Sequence, residues 1–261
     1  MTTVAPGRGT GTALITAGAV GIGRAMAEAF DAIGATVWIV DVDREALDAC
    51  PAHWRRDRLD VTDEPAVAAL FERLRASWPR LDVLCANAGI AGPTATVEAI
   101  ELADWRRCLS VNLDGAFLFA KHAVPTMKQQ RSGAIILTSS TAGIHGFPNR
   151  APYAAAKWAV NGLMKTLAME LGPFGIRVNS ICPGSVEGAR IEAVLQREAV
   201  IKGTTRDRIY QGYVAGTSMR SFVTAADVAA MAVFLASDAA RLVSGQIIAV
   251  DGHTENPDPK V

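Results

Sequence analysis

The sequence predicts an α/β fold in which helices cover both faces of a doubly wound parallel sheet, and three observations carry that prediction. Short apolar segments rich in β-branched residues alternate with amphipathic segments along the whole chain. A glycine-rich turn joins the first of these strands to the first helix. The chain has 261 residues and shows neither an internal repeat nor a linker. We therefore expect one domain over 1–261, arranged in three α/β/α layers.

The individual elements follow from local pattern. Apolar or β-branched runs predict strands at 12–16, 36–40, 53–59 (weaker and charged), 81–86, 134–138, 177–182 and 246–250. Helical periodicity predicts helices at 24–33, 64–77, 104–119 with a further helix to about 129, 153–171 and 225–236. Gly34 is a suitable stop for the first helix, and Asp104 is predicted as a helix cap.

One segment interrupts the alternation. Residues 184–222 separate a strand from a helix by an unusually long excursion. Excursions of this length in an α/β domain usually serve function, so we expect a helical lid over a substrate site.

Composition excludes several classes of protein. Lys plus Arg and Asp plus Glu each total 26, so the net charge is zero and does not favour nucleic-acid binding. Half of the residues are hydrophobic, which argues against disorder, and no apolar run reaches the length of a membrane span. Met1 to Gly11 lacks the apolar core of a signal peptide. The four cysteines and four histidines show no metal-ligand spacing, so we expect a reduced, cytoplasmic protein without a metal site.

The glycine-rich turn is typical of phosphate binding. Gly18, Gly21, Ile22 and Gly23 lie between a strand and a helix, where backbone N–H groups and the helix N-terminus favour a pyrophosphate. Asp41 ends the second strand, where a carboxylate accepts hydrogen bonds from an adenosine ribose and repels a 2′-phosphate. Asp41 therefore favours NAD over NADP. A plain glycine turn and an ordinary strand-end aspartate are the alternatives.

A tyrosine and a lysine share one helix face. Tyr153 and Lys157 are four residues apart, and a neighbouring ammonium lowers the pKa of a phenol toward the range useful in proton transfer. Such pairs are also common on solvated helices. Ser140, at the end of the preceding strand, adds a hydroxyl in the crevice where open α/β sheets bind ligands.

Taken together, these motifs resemble the short-chain dehydrogenase/reductase family in its shorter Rossmann-fold form. The resemblance covers roughly 10–252, and its motifs occur in the family's order. Besides those above, they are Asp60-Val61, the Cys85–Gly89 strand end, Asn112, Pro183-Gly184 and Val250–Gly252.

The resemblance implies roles for these positions. Tyr153 would be the acid/base, Lys157 would lower its pKa and bind the nicotinamide ribose, and Ser140 would hold the substrate oxygen. Asn112 would keep a water in a proton relay. The implied cofactor residues also include Asp60, Val61, Asn87, Gly89, Pro183, Gly184 and Val186. The resemblance further implies a homotetramer acting on a secondary alcohol or ketone.

Three positions depart from the family pattern. Ala17 replaces the usual first glycine of the turn, and Ala86 replaces the first asparagine of an Asn-Asn pair. Gly188 replaces a threonine that commonly binds the carboxamide. The departures leave the four catalytic positions intact.

Substrate selectivity is expected from the loop after Ser140 and from 184–222. His145, Asn149, Arg190 and Arg220 are the candidate substrate residues, and the mildly basic 184–222 segment favours a polar or anionic alcohol such as a sugar, polyol, hydroxy acid or sulfonate. A solvated charged helix face is the alternative interpretation of that segment. A 3-oxoacyl-carrier-protein reductase and a non-catalytic NAD sensor remain alternative functions.

Overall fold

The computed structural model describes residues 11–256 and 258, and a parallel sheet of seven strands runs through them. The strands are β1 Thr12–Thr16, β2 Thr36–Asp41, β3 Arg55–Arg58, β4 Val83–Ala86, β5 Gly133–Thr138, β6 Ile176–Pro183 and β7 Ile247–Val250. Their order in the sheet is β3-β2-β1-β4-β5-β6-β7, and every pairing is parallel. The chain therefore reverses its direction of winding between β1 and β4, which opens a crevice at the carboxyl ends of the strands.

Helices cover both faces of this sheet. Their bounds are α1 Gly21–Ala32, α2 Arg44–Asp48, α3 Glu64–Ser77, α4 Leu102–Leu109, α5 Gly115–Gln130, α6 Ala151–Leu171, α7 Ala189–Ile201, α8 Arg206–Ala215 and α9 Ala225–Ala236. Strand side chains alternate between the two faces, so Leu14 packs with α3, α5 and α6 while Ile15 packs with α1 and α9. The expected doubly wound α/β/α architecture is confirmed.

Some predicted boundaries need correction. The first helix begins at Gly21 rather than 24, because the glycine-rich turn forms its first turn. Asp104 is not a cap: α4 begins two residues earlier, after Glu101, and Asp104 lies in its first turn. The predicted break near 119 is absent, since a π-helical turn at Ser110–Asp114 joins α4 to α5. The short helix α2 was not predicted.

The 184–222 segment folds into α7 and α8, which pack on each other through a small apolar cluster. Leu195, Ile209, Tyr213 and Phe222 are buried at its centre. A bridge between Val186 and Val223 brings the two ends of the segment together. The segment is thus a helical excursion that leaves the sheet after β6 and comes back beside its own starting point.

The chain termini are only partly described. The segment Met1 to Gly11, which is predicted to lack a signal peptide, lies outside the described residues except for Gly11. At the other end, the backbone N–H groups of Glu255 and Asn256 both donate to Gly216 O, so this stretch packs against the end of α8. No helix in 11–256 and 258 combines the length and apolarity needed to cross a membrane.

Candidate active site

The glycine-rich turn is defined by steric contacts that exclude side chains. A Cβ on Gly23 would lie 1.9 Å from Ala17 O, and one on Gly18 would lie 2.6 Å from Ile39 Cγ2. Gly21 has φ +55° and faces open space. Ala17 also adopts a left-handed conformation, with φ +48°, where the family pattern has glycine. The turn therefore keeps its tight packing in spite of the alanine.

Asp41 is held against this turn at the carboxyl end of β2. Its Oδ2 accepts from Ala19 N at 3.2 Å, and its Oδ1 accepts from Asp43 N at 3.1 Å. The side chain is buried, so the carboxylate has a defined position beside the turn. Asp60 is exposed and accepts from Thr62 N at 2.9 Å, while the neighbouring Val61 packs into the core.

Asn87 connects the ends of three strands. Its Nδ2 donates to Thr16 O at 3.2 Å, and its Oδ1 accepts from Thr138 Oγ1 at 3.2 Å. Thr16 Oγ1 in turn accepts from the backbone N–H groups of Asn87 and Ala88. These bonds join β1, β4 and β5, so the replacement at Ala86 leaves the strand ends connected.

Asn112 lies in the π-helical turn, close to Gly89 and Lys157. Its Nδ2 donates to Cys108 O at 2.8 Å and to Ile90 O at 3.0 Å. Its Oδ1 is buried and has no hydrogen-bond partner among the described residues. A Cβ on Gly89 would lie 2.5 Å from this Oδ1 and 3.3 Å from Lys157 Nζ. Irregular helical turns often occur at functional sites, and this one places an amide oxygen near the lysine.

The helix α6 carries Tyr153 and Lys157 on the face directed to the end of β5. Lys157 is only 2% exposed, and its Nζ donates to Thr138 O at 2.8 Å. The same Nζ lies 5.7 Å from the centre of the Tyr153 ring. Ser140 caps the short turn that follows β5, its Oγ accepting from Ala142 N at 3.1 Å, and it lines the same cavity as Tyr153. The structure thus brings Ser140, Tyr153, Lys157 and Asn112 together.

The charges around Tyr153 favour its phenolate. Burial alone raises the pKa of the phenol, but the Arg190 guanidinium, the Lys157 ammonium and the nearby Ser140 hydroxyl outweigh it. The pKa of Tyr153 is therefore below its ordinary value. Burial lowers the pKa of Lys157, and the nearby Tyr153 opposes that shift.

Two arginines contact the Tyr153 ring. Arg190 lies with its Cζ 5.8 Å from the ring centre and donates to Gly89 O at 3.3 Å. Arg150 lies closer, with its Cζ 4.9 Å from the ring centre, and is 6% exposed. Arg150 lies in the loop after Ser140 from which selectivity is expected, but it is not one of the four candidate substrate residues. Its place three residues before Tyr153, at the start of α6, indicates that it lies near the site, but not that it is buried.

A cavity of about 390 Å³ joins these groups at the carboxyl ends of the strands. Of the predicted cofactor residues, those lining it are Gly21, Ile22, Asn87, Gly89, Tyr153, Lys157, Pro183, Gly184 and Val186. Ser140 also lines it, and α7 covers it through Arg190, Ile191 and Val194. The other predicted site residues do not line it: Gly18, Gly23, Asp41, Asp60, Val61 and Asn112.

The four predicted substrate residues occupy different places. Arg190 lines the cavity, whereas His145, Asn149 and Arg220 do not. Asn149, with φ +60°, accepts from Ala95 N through its backbone O, and His145 O accepts from Trp158 Nε1. Arg220 is exposed and donates to Ala215 O. Within the part of the chain that the structure describes, no group of His, Cys, Asp or Glu could hold a metal ion.

Comparisons with known proteins agree with this geometry. A family model described as enoyl-(acyl carrier protein) reductase matches residues 17–253. The chain is 40% identical to cis-4-hydroxycyclohexanecarboxylate dehydrogenase of Sinomonas cyclohexanicum, over 92% of this chain and 94% of that protein. It is 37% identical to a 3-oxoacyl-[acyl-carrier-protein] reductase of Thermotoga maritima, over 92% and 95%. It superposes on the crystal structure of NAD⁺-bound xylitol dehydrogenase with a TM-score of 0.90 at 29% identity, covering 93% and 98% of the two chains.

Proposed function

The chain belongs to the short-chain dehydrogenase/reductase family, and from that premise we propose that it is an NAD-dependent dehydrogenase of a small polar or anionic secondary alcohol. The coarser activity follows from the family: it is an oxidoreductase that acts on a CH–OH group of a small molecule with a nicotinamide cofactor. The observation that carries the proposal is the Tyr153 hydroxyl, held beside Lys157 and Ser140 in the cavity with a lowered pKa.

The residues of the crevice fit a dinucleotide. The steric exclusion of a Cβ at Gly18 and Gly23 gives the tight turn that a pyrophosphate requires, and Gly21 leaves its side toward the ligand open. Gly184 and Val186 line the other end of the cavity, where they would hold the nicotinamide. Gly188 has φ +134°, a conformation that threonine would adopt only with strain, so the carboxamide would depend on the Val186 backbone.

Asp41 supports NAD rather than NADP. Its carboxylate is fixed beside the turn by two backbone N–H groups and retains lone pairs for ribose hydroxyls. A 2′-phosphate at this position would meet a buried negative charge, with a Coulomb repulsion of about 4 kcal/mol at 4 Å and an effective dielectric constant of 20.

Proton transfer is assigned to Tyr153. In alcohol oxidation its phenolate would take the hydroxyl proton, and in ketone reduction its phenol would return that proton to the oxygen. The nicotinamide ring, when bound, supplies the other half of the chemistry by accepting or donating a hydride at the carbinol carbon. The Ser140 hydroxyl would donate a hydrogen bond to the substrate oxygen and stabilise its developing negative charge.

Lys157 and Asn112 would support Tyr153. The buried ammonium stabilises the phenolate electrostatically and would also bind the nicotinamide ribose. Asn112 Oδ1 is buried without a partner among the described residues, and a water that donates to it would lie near Lys157 Nζ. Such a water would carry protons between the lysine and solvent.

We further propose that 184–222 acts as a lid and that the chain forms homotetramers. The lid role is supported by α7, which covers the cavity and belongs to an excursion closed at its base by the Val186–Val223 bridge. Oligomerisation is supported by exposed large apolar side chains on neighbouring helices, at Leu102, Phe117, Trp158 and Met169. Four buried free cysteines agree with the cytoplasm as a reducing location.

Reduction of a 3-oxoacyl-carrier-protein substrate is the second candidate. The similarity to the Thermotoga maritima reductase and the description of the matched family model favour it. Asp41 disfavours it, since such reductases usually prefer NADP. A non-catalytic NAD-sensing protein is the alternative of another class, and the assembled Ser140, Tyr153 and Lys157 argue against it.

One experiment separates these candidates. Secondary alcohols (polyols, sugars, sugar acids, sulfonates, cyclic alcohols and hydroxy acids) are offered with NAD and then with NADP, and the absorbance of the reduced cofactor is followed. We expect NAD-dependent turnover of at least one small alcohol. A large preference for NADP would contradict the role of Asp41, and tight NAD binding without turnover of any alcohol or ketone would favour a sensor.

A further inference from the structure

Arg150 is a buried charge on the wall of the cavity. Its side chain is only 6% exposed, and it lies between the rings of Phe147 and Tyr153 with Cζ-to-centre distances of 6.0 and 4.9 Å. Its Nη2 donates to Ala91 O at 3.1 Å. Its Nε is buried and has no hydrogen-bond partner among the described residues.

This guanidinium forms no ion pair with any carboxylate in the described part of the chain. The charge of Glu198 on α7 acts on the Arg150 guanidinium, but Glu198 Oε1 accepts from Tyr213 Oη at 2.8 Å. A buried arginine is ordinarily paired, because removing a charge from water is costly. Among the described residues, Arg150 therefore has no anionic side chain paired with it.

The surroundings of Arg150 indicate where such a partner would come from. Arg150 lines the same cavity as Tyr153, and so do the apolar side chains of Phe147, Ile191 and Val194. Arg190 adds a second positive charge beside the same tyrosine ring. A ligand that places its alcohol at Tyr153 would thus meet an apolar wall and two guanidinium groups.

We propose that Arg150 binds a carboxylate of the substrate, and that the substrate is a compact hydroxy acid whose alcohol and carboxylate are separated by a small ring or a short chain. The inference rests on the proposed dehydrogenase function. Arg150 contacts the ring of the same tyrosine whose hydroxyl would exchange the alcohol proton. The carboxylate bound by Arg150 and the alcohol bound by Tyr153 would therefore be close enough to belong to one small molecule. An apolar spacer between them matches Phe147, Ile191 and Val194.

The test compares two probes that have the same shape but different charge. These are 4-hydroxycyclohexanecarboxylate and 4-hydroxycyclohexanecarboxamide, each offered with NAD to the full-length protein. Charge-assisted hydrogen bonds to a buried arginine predict a preference for the carboxylate of about 100-fold in kcat/KM. Arg150→Met is expected to remove that preference, because kcat/KM should fall far more for the carboxylate than for the carboxamide, mainly through a higher KM for the carboxylate. Arg150→Lys is expected to restore part of it.

Arg177→Met is the matched control. Arg177 is a half-buried arginine that also donates to backbone carbonyls, with Ala236 O at 3.0 Å, and it does not line the cavity. Its replacement is expected to leave the ratio of the two probes unchanged. The dissociation constant of NAD should be the same in wild type and Arg150→Met, because the proposed partner of Arg150 is the substrate and not the cofactor.

Binding measurements on the wild-type protein keep the proposal testable if Arg150→Met does not fold. Cyclohexanecarboxylate should bind the NAD complex at least 10-fold more tightly than cyclohexanecarboxamide, by calorimetry. Equal binding of cyclohexanecarboxylate and cyclohexanecarboxamide would overturn the anion site. An equal loss of activity toward the carboxylate and carboxamide substrates in Arg150→Met would also overturn it, and would make Arg150 a positioning residue for Tyr153. Failure of the dehydrogenase function has a different result: no alcohol is oxidised, while the calorimetric preference for the carboxylate is still measurable.

Discussion

Replacing Arg190 with glutamine should move the pH dependence of alcohol oxidation. Arg190 supplies the foremost of the positive charges that hold the pKa of Tyr153 below its ordinary value. Glutamine removes the charge and keeps a polar side chain of similar length. Oxidation requires the phenolate, so the rate falls as pH drops through the pKa of Tyr153. Because Arg190→Gln raises that pKa, the ascending limb of the profile should move to higher pH.

The size of the shift follows from distance and exposure. With the 5.8 Å between Arg190 Cζ and the ring centre taken as the separation, a unit charge contributes about 3 kcal/mol for an effective dielectric constant of 20 and about 0.7 kcal/mol for that of water. Arg190 is exposed, so solvent screening places its effect toward the lower figure. One pKa unit corresponds to about 1.4 kcal/mol. We therefore expect a shift of about half to one pH unit.

The assay is kcat/KM for a neutral alcohol across pH, measured at low and at high salt. High salt should reduce the difference between wild type and Arg190→Gln, because the charge is exposed. Arg206→Gln is the matched control, since Arg206 on α8 pairs with Glu192 at 2.6 Å and lies outside the cavity. An Arg190→Gln profile that coincides with wild type at low salt would refute the electrostatic role.

Four further substitutions test other parts of the site. Tyr153→Phe should lower kcat by about 10²–10⁴-fold with NAD affinity unchanged in a fluorescence titration, and full activity would remove Tyr153 from the mechanism. Asp41→Asn should lower the NAD-to-NADP ratio of kcat/KM by at least about 10-fold, a loss of about 1.4 kcal/mol of discrimination. Gly23→Ala should abolish the rise in Tm that NAD produces, because its Cβ would overlap Ala17 O; a normal rise would contradict the tight turn. Phe117→Glu should dissociate the oligomer in light scattering, and an unchanged mass would exclude this face as an interface.

Elements with strong local signals were predicted well from the sequence. The predicted strand 12–16 coincides with β1, and the predicted helix 64–77 coincides with α3. The helix has clear periodicity, and Asp63 caps it by accepting from Ala66 N. Local pattern alone could not show that Ser110–Asp114 is a π-helical turn, because that irregularity keeps the chain helical.

The candidate site was predictable where one motif carries the chemistry. Tyr153 and Lys157 share a helix face by spacing alone, and Asp41 ends its strand as expected. Arg150 could not be assigned in the same way, since its burial depends on Phe147 and on the helices that return over the cavity. Its missing counter-ion is a property of three-dimensional contacts, which a sequence pattern does not contain.

The glycine-rich turn combines two separate requirements that a sequence motif reports as one. Gly18 and Gly23 are required because the space beside them is filled by Ile39 and by Ala17 O. Position 17 requires only a left-handed backbone, which alanine adopts here at a cost of about 1–2 kcal/mol. A pattern search that insists on glycine at the first position would therefore pass over this chain. A search that requires glycine only where a Cβ would overlap a neighbouring atom would retain this chain. The atoms next to each glycine of such a motif therefore indicate whether another residue can replace it better than the frequency of glycine at that position does.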